Sequence, residues 1–217
     1  MRKGFFFAFE GIDGCGKSTQ IAEIAGKLQN DVIPYHITRE PGGTVIGEKI
    51  RSILLSPENN EMSIHCELLL YLASRAQHVQ EKILPALQRG EIVVCDRFQD
   101  ATFAYQGYGR AVPLDTLRNL NAFATGDLAP DCTFIFDLPV QEASARLKQT
   151  GKAPDRLEGN SGEFYEKIRK GYLDLAARDP DRYAVFSGME PVHLLAGRVY
   201  EKIMQIMNTN DTLSREG

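Results

Sequence analysis

The 217-residue sequence has few groups that could cross-link the chain or bind a metal through sulfur. Its four cysteines, Cys15, Cys66, Cys95 and Cys132, are scattered and form no C-x-x-C pair, which argues against a zinc site and against a disulfide framework. Reduced thiols in a cytosolic protein are the simpler interpretation.

Long apolar runs are missing as well. The apolar residues 4–9 follow two basic residues, as in a signal peptide, but the run is short, stops at Glu10 and is not followed by a small-residue cleavage site. No segment stays apolar over the length that a membrane-spanning helix needs. We therefore expect a soluble, cytoplasmic protein without membrane contacts.

Neither sign of charge is in large excess. The 25 Lys and Arg residues and 29 Asp and Glu residues give a formal net charge of −4 at pH 7. This balance argues against a nucleic-acid partner bound through overall charge, although it is compatible with a local basic pocket for phosphates. The hydrophobic content of 43% and the chain length fit one folded α/β domain.

The order of the apolar patterns indicates the fold class. Short apolar runs predict strands at residues 5–9, 33–38, 92–95, 133–138 and 183–186. Segments with helical spacing predict helices at residues 16–28, 44–55, 63–88, 99–105, 114–124, 140–148, 163–177 and 192–207. Pro85 is expected to kink or end the helix at 63–88. The alternation predicts a five-stranded parallel sheet covered by helices on both faces, with ligands at the carboxyl ends of the strands.

The segment after the first predicted strand matches the phosphate-binding pattern G-x-x-x-x-G-K-[ST] in full, and a helix follows it. Its glycines let backbone N–H groups converge on phosphate oxygens, and the helix N-terminus adds a partial positive charge. Lys17 can reach the β- and γ-phosphates, and the Ser18 hydroxyl can ligate Mg²⁺. The residues predicted to bind ATP are Gly11, Ile12, Asp13, Gly14, Cys15, Gly16, Lys17, Ser18 and Thr19.

Further charged residues follow the second and third predicted strands. Asp96 ends the third strand, where an acidic side chain can organise Mg²⁺, and Arg97 can bridge phosphate oxygens. An ordinary salt bridge at the strand end would produce the same pattern. Residues 39–44 form a Gly-rich turn that carries both charge signs, and Arg51 in the next helix could reach a phosphate or face water.

A second stripe of polar residues runs along the predicted helix at 63–88. Glu67, Tyr71, Arg75 and His78 recur at spacings of three and four residues. An aromatic ring one turn from a guanidinium can stack on a base while the guanidinium binds the base edge. A solvated polar face is the alternative that helical spacing alone would favour.

Together these motifs resemble the thymidylate kinases over residues 5–174. The phosphate-binding loop, the turn at 39–44 and the segment 96–98 stand in the family's order, and segments 104–110 and 155–158 also look like the family's. The resemblance implies a P-loop NTPase fold and transfer of the γ-phosphoryl group of MgATP to dTMP, giving dTDP and ADP in dTTP biosynthesis. It also implies a homodimer.

The resemblance implies roles at the acceptor phosphate and in catalysis. Asp13 would hold the acceptor nucleotide and orient its phosphate, and Arg51 and Arg97 would bind that phosphate. The residues implied to be catalytic are Asp13, Lys17, Arg97 and Arg156. Because the attacking phosphate oxygen is already anionic, the protein would need alignment and charge neutralisation more than a strong base.

The resemblance also implies how the acceptor base and sugar would be recognised. Glu40 would border the acceptor site. Tyr71 would stack on thymine and Arg75 would hydrogen-bond to the base. The base edge would be read by Thr102 and Gln106. Tyr105 would crowd the 2′ position of the sugar and favour deoxyribose.

Two positions depart from the usual family pattern. Tyr71 stands where Phe is usual, so its extra hydroxyl needs a partner or water. Gly14 stands where some members carry a catalytic arginine, and members with glycine there resemble those that supply basic residues from a lid. The lid would cover ATP from residues 149–162, and it offers Lys148, Lys152 and Arg156, of which Arg156 is favoured as part of the family signature.

Residues 1–207 would form one domain that includes this lid, and residues 208–217 a flexible tail. Another P-loop kinase, acting on a different monophosphate or on a deoxynucleoside, is the nearest alternative. A small GTPase is disfavoured because the chain has no N-K-x-D element. A catalytically inactive binding protein is disfavoured because Lys17, Ser18, Asp96 and Arg97 are all present.

Overall fold

The computed structural model describes residues 4–151, 156 and 161–213, and the side chains through residue 209. Its strands are β1 (Phe6–Glu10), β2 (Tyr35–Arg39), β3 (Ile92–Asp96), β4 (Cys132–Asp137) and β5 (Tyr183–Ser187). Its α-helices are α1 (Lys17–Asn30), α2 (Val45–Leu55), α3 (Ile64–His78), α4 (Leu84–Gln88), α5 (Gln99–Thr102), α6 (Leu114–Thr125), α7 (Val140–Gln149), α8 (Gly162–Arg178) and α9 (Val192–Leu213).

All strand pairs are parallel, and the five strands lie in the order β2-β3-β1-β4-β5. This sheet confirms the predicted fold class. Because β1 lies in the middle, it is buried on both faces, and its side chains alternate between two cores. Phe6 and Ala8 pack with residues of the segment between α3 and β3, whereas Phe7 and Phe9 pack with residues of α1, α8 and α9.

The segment predicted as one helix at 63–88 is helical in the structure, but its helix type changes along its length. A π-helical segment, Val79–Ile83, joins α3 to α4, and Pro85 lies in the first turn of α4. Proline cannot donate a backbone hydrogen bond and crowds the preceding turn, and a wider turn just before it relieves this constraint. Pro85 therefore begins a short helix instead of ending the long one.

Two other elements extend beyond their predicted ends. A second π-helical segment, Phe103–Gly109, continues α5 past the predicted end at Tyr105. The last helix, α9, runs to Leu213 and so passes the predicted end at Met207. A helix therefore occupies the first residues assigned to a flexible tail, while residues 214–217 lie outside the described part of the chain.

Candidate active site

A cavity of about 980 Å³ opens at the carboxyl edge of the sheet, where the sequence predicts ligands to bind. The predicted site residues that line it are Asp13, Gly14, Cys15, Gly16, Lys17, Ser18, Thr19, Glu40, Arg51, Tyr71, Arg75, Asp96, Arg97, Thr102, Tyr105 and Gln106. Residues far apart in the chain meet here because parallel strands end at the same edge.

The loop between β1 and α1 has the backbone that its glycines permit. Gly11, Gly14 and Gly16 have φ of 137°, 82° and 100°, values that favour glycine. Lys17 is buried, and its Nζ donates to the carbonyls of Gly11 and Ile12, both at 3.1 Å. The loop thus holds the lysine ammonium at the start of α1, beside the helix N-terminus that favours anions.

Gly14 is also required by the packing around it. A Cβ at this position would lie 2.5 Å from the carbonyl oxygen of Ala143 in α7. An arginine at this position therefore cannot be accommodated while α7 keeps its position. This contact gives a physical reason for glycine at position 14, the second of the two departures from the family pattern noted in the sequence.

Two side chains with oxygen atoms of the kind that Mg²⁺ prefers meet at the end of β3. The hydroxyl of Ser18 donates to Oδ2 of Asp96 at 3.3 Å. Within the described residues no group of three or more His, Cys, Asp or Glu side chains could hold a metal by itself. The pair suits Mg²⁺, which typically takes one or two protein oxygens and completes its shell with phosphate oxygens and water.

Asp13, Arg97 and Tyr105 form a charged cluster in the middle of the cavity. Arg97 Nη2 donates to Asp13 Oδ1 at 2.6 Å and to the Tyr105 hydroxyl at 3.0 Å, and this hydroxyl donates to Asp13 Oδ2 at 2.9 Å. Burial alone would raise the pKa of Asp13, but the charges of Arg97 and Lys17 outweigh it and lower the pKa to about 2. Asp13 is therefore a firm anchor for Arg97 at neutral pH.

Arg97 is held from its other side as well. Its Nη1 donates to the Gly11 carbonyl at 3.0 Å and to the Tyr172 hydroxyl at 3.2 Å. Tyr172 in turn donates to Oε2 of Glu10 at 2.7 Å. The sequence predicted no role for Glu10 or Tyr172, because a carboxylate at the end of a strand and a tyrosine on an amphipathic helix match no motif.

Arg75 lies at the base of the cavity and is 2% exposed. Its Nε donates to Glu40 Oε2 at 2.7 Å, and its Nη1 donates to Thr102 Oγ1 at 2.7 Å and to Asn121 Oδ1 at 2.5 Å. Nη2 donates to the carbonyl of Phe98 at 2.9 Å. The guanidinium is thus held rigidly by four residues, and Asn121 is a partner that the sequence did not reveal.

Glu40 is the anion that balances the charge of the buried Arg75 guanidinium. Its Oε1 also lies 2.9 Å from Nδ1 of His78, whose Nε2 lies 2.6 Å from the Thr38 hydroxyl. Burial would raise the pKa of Glu40, but Arg75 and His78 outweigh that effect and lower it. Glu40 therefore lines the cavity as a charged group with both oxygens bonded.

Arg156 and Gln106 share one carboxylate. Gln106 Nε2 donates to Glu67 Oε1 at 2.8 Å, and Arg156 Nη2 donates to Glu67 Oε2 at 2.6 Å. Arg156 also donates from Nε to the carbonyl of Leu54 at 2.8 Å and does not line the cavity. Lys148 does line the cavity, and Lys152 lies outside the described residues.

Comparison with known proteins identifies the family of this chain. A sequence model of the family described as thymidylate kinase matches residues 9–198. The chain belongs to the thymidylate kinase family. It is 45% identical to a thymidylate kinase of Pelotomaculum thermopropionicum over 205 residues, which cover 93% of this chain and 95% of the relative. It is 46% identical to one of Citrifermentans bemidjiense over 211 residues, covering 95% and 94%.

Thymidylate kinases are ATP-dependent nucleoside monophosphate kinases, and the P-loop fold agrees with this class. A third relative, the thymidylate kinase of Desulfosudis oleivorans, is 44% identical over 211 residues, covering 94% of this chain and 99% of the relative. Among the described residues, no helix is both long and apolar enough to cross a membrane.

One end of this thymidylate kinase cavity was not predicted. Arg146 of α7 lines it and donates from Nη2 to the carbonyl of Gly188 at 3.0 Å. Glu190, Val192 and Leu195 line the same end. Glu190 comes from the segment between β5 and α9, and Val192 and Leu195 come from the first turn of α9. Neither part carries a phosphate motif, so only the tertiary structure brings these residues to the cavity.

Proposed function

We propose that this protein transfers the γ-phosphoryl group of MgATP to dTMP, giving dTDP and ADP, as a step of dTTP biosynthesis. The observation that carries the proposal is one cavity in which a phosphate-binding loop adjoins the Asp13–Arg97–Tyr105 cluster and the buried Arg75. Relatives named thymidylate kinase, which align over most of this chain, support the same substrate.

On the donor side, the phosphates of ATP would bind the backbone N–H groups of the loop, and Lys17 would contact the β- and γ-phosphates. The adenine would lie toward the end of the cavity formed by Arg146 and Val192. Ser18 and Asp96 would hold Mg²⁺, which supplies Lewis-acid stabilisation of the phosphate charge.

On the acceptor side, Arg97 and Arg51 would bind the dTMP phosphate while Asp13 keeps Arg97 oriented. Arg51 already faces the turn at 39–44, because its Nη1 donates to the Pro41 carbonyl at 2.8 Å. These contacts would place an anionic phosphate oxygen beside the γ-phosphoryl group. Alignment of two anions between fixed cations is the main catalytic work that phosphoryl transfer requires.

The base would bind between the ring of Tyr71 and the buried guanidinium of Arg75. Tyr71 lines the cavity and offers its ring for stacking, and Thr102 and Gln106 would read the base edge. Tyr105, fixed by its hydroxyl bond to Asp13, would crowd the 2′ position and favour a deoxyribose.

Three basic residues are candidates for the contact between the lid and the transferred phosphate. Lys148 lines the cavity as described, whereas Arg156 would first have to leave Glu67 in order to reach the transferred phosphate. Because that ion pair is largely buried, we propose Lys148 as the first contact and Arg156 as a residue that moves with lid closure. Lys152 stays a third candidate.

We also propose a homodimer that forms through the face shared by α2, α3 and α6. These helices pack side by side, and they carry exposed apolar side chains: Ile46, Ile53, Leu69 and Phe123. Phe123 is 91% exposed, which is unusual for a large aromatic residue unless a partner covers it. Light scattering after gel filtration would give the mass and decide between monomer and dimer.

The test of the proposed activity is ADP release from MgATP with the purified protein. Turnover with dTMP is compared with turnover on UMP, CMP, AMP and GMP, and Lys17→Ala controls for contaminating ATPases. Strong preference for dTMP is the expected result. Preference for another monophosphate would keep the kinase class but would reject the roles of Tyr71, Arg75 and Gln106.

A further inference from the structure

The hydroxyl of Tyr172 lies between a buried carboxylate and the acceptor-side arginine. It donates to Glu10 Oε2 at 2.7 Å and accepts from Arg97 Nη1 at 3.2 Å. One hydroxyl has one proton to donate and lone pairs to accept, so both bonds can form together. The side chain is 1% exposed, and water therefore does not compete for these bonds.

Glu10 holds the backbone next to Arg97 with its other oxygen. Oε1 accepts from the N–H groups of Phe98 at 2.7 Å and Ala101 at 3.2 Å. Arg97 itself has φ of 69°, in the left-handed region that most side chains avoid. Such a backbone persists where surrounding contacts determine it, and Glu10 provides these contacts on the C-terminal side of the arginine.

Tight packing fixes the helix that carries Tyr172. A Cβ at Gly171 would lie 2.7 Å from Cγ of Tyr108, and a Cβ at Gly109 would lie 2.7 Å from Cε2 of Phe164. Each glycine thus lets α8 and the π-helical segment 103–109 approach closely. The Tyr172 hydroxyl consequently has little freedom to move away from Arg97.

We propose that Glu10 and Tyr172 are positioning residues for Arg97, so that the helix following the lid segment sets the position of the arginine that binds the acceptor phosphate. This inference rests on the proposed function, in which Arg97 contacts dTMP. Neither Glu10 nor Tyr172 lines the cavity, and both act through Arg97.

The charge state of Glu10 decides whether its carboxyl group can accept all of these hydrogen bonds. A carboxylate can accept all three donors, from Phe98, Ala101 and Tyr172, whereas a protonated carboxyl must turn one proton toward a donor. Burial raises the pKa of Glu10 to about 7, even though the charge of Arg97 opposes this. The arrangement should therefore weaken as the pH falls below about 7.

The other groups that face Glu10 and Arg97 are Asp13, Cys95, Asp100, Tyr105 and Tyr172. Asp13 has a pKa of about 2 and stays ionised above pH 6. Burial raises the pKa of Cys95 and of both tyrosines well above their ordinary values, so these three stay neutral up to pH 8.5.

The experiment compares Tyr172→Phe with Tyr183→Phe. Tyr183 is a matched control, because it is also a buried tyrosine that donates to a buried carboxylate, Asp100, at 2.7 Å, but it does not contact Arg97. At pH 8 we expect Tyr172→Phe to lower kcat/KM for dTMP by about tenfold and to leave KM for ATP within about twofold. Tyr183→Phe should leave both constants unchanged.

The pH profile separates positioning from a merely structural role. The ratio of kcat/KM for dTMP between wild type and Tyr172→Phe should be largest above pH 7.5 and should fall toward pH 6, as Glu10 of the wild type takes up its proton. Ionisation of dTMP itself cancels in this ratio. A ratio that is constant with pH, or equal losses in the two tyrosine variants, would overturn the proposal.

Circular dichroism melting checks that each variant is folded. If Tyr172→Phe does not fold, Glu10→Gln serves instead, because an amide lacks the second acceptor oxygen at every pH. Its kcat/KM for dTMP should equal that of wild type at pH 6 and should be lower than that of wild type at pH 8. Parallel profiles would reject the inference, whereas a wild type without activity on dTMP would reject the proposed function.

Discussion

The substitution Glu40→Gln tests how far the buried Arg75 depends on the anion that pairs with it. The change keeps the shape of the side chain but removes the charge that faces Arg75 at 2.7 Å and His78 at 2.9 Å. Arg75 and Glu40 are only 2% and 3% exposed, so water cannot replace the lost charge. Removing one partner of such a pair typically costs about 3–5 kcal/mol, because the other charge stays buried alone.

The stability loss can be measured by urea unfolding and by thermal melting. For a chain of this length each kcal/mol corresponds to roughly 2–4 °C, so the Tm should fall by roughly 6–20 °C. Because Arg75 and His78 lower the pKa of Glu40 against the effect of burial, the wild-type advantage should be complete at pH 7. It should be lost in acid, as the pH falls through the lowered pKa.

Glu163→Gln is the matched control for this measurement. Glu163 also pairs with a cation, Lys167, at 2.8 Å, but the two side chains are 78% and 55% exposed. Solvent screens such an exposed pair, which contributes little to stability, so this variant should melt close to wild type. A loss below about 1 kcal/mol for Glu40→Gln, or equal losses in both variants, would refute the view that Glu40 anchors Arg75.

Three further predictions concern separate parts of the molecule. Lys17→Ala should lower kcat by orders of magnitude without lowering the Tm by more than a few degrees, and near-normal turnover would contradict its role at the phosphates. The folded-state pKa of Glu10 is raised from 4.5 to about 7. The stability of the wild type relative to Glu10→Gln should therefore fall by about 3 kcal/mol as the pH rises from about 4.5 to 7. If urea unfolding gave parallel curves of stability against pH for the two proteins, this ionisation would be excluded. Phe123→Asp should halve the mass measured by light scattering, and an unchanged mass would place any dimer contact elsewhere.

The fold was predictable because its signals are local. Each strand is a short apolar run, and the phosphate-binding loop is a contiguous pattern between a strand and a helix, so both are visible without knowledge of the packing. The π-helical segments 79–83 and 103–109 were not predicted. Their apolar spacing over so few residues does not differ from that of an α-helix, so periodicity cannot distinguish the two.

The arrangement within the site was harder to predict because its partners are distant in the chain. Tyr172 and Glu10 are separated by 162 positions, and Arg156 and Glu67 by 89. A tyrosine on a helix and a glutamate at a strand end carry no pattern that would pair them. The assignment of Arg156 to the transferred phosphate and the division into domain, lid and tail stay predictions.

The contact between Gly14 and α7 restricts how this enzyme could change during evolution. Placing a cationic side chain at position 14 of the phosphate-binding loop requires more than a single codon change, because the carbonyl of Ala143 occupies the space that such a side chain would need. Helix α7 would have to shift first. A side chain at this position therefore requires a coupled change in sequence and packing, which a single substitution does not supply.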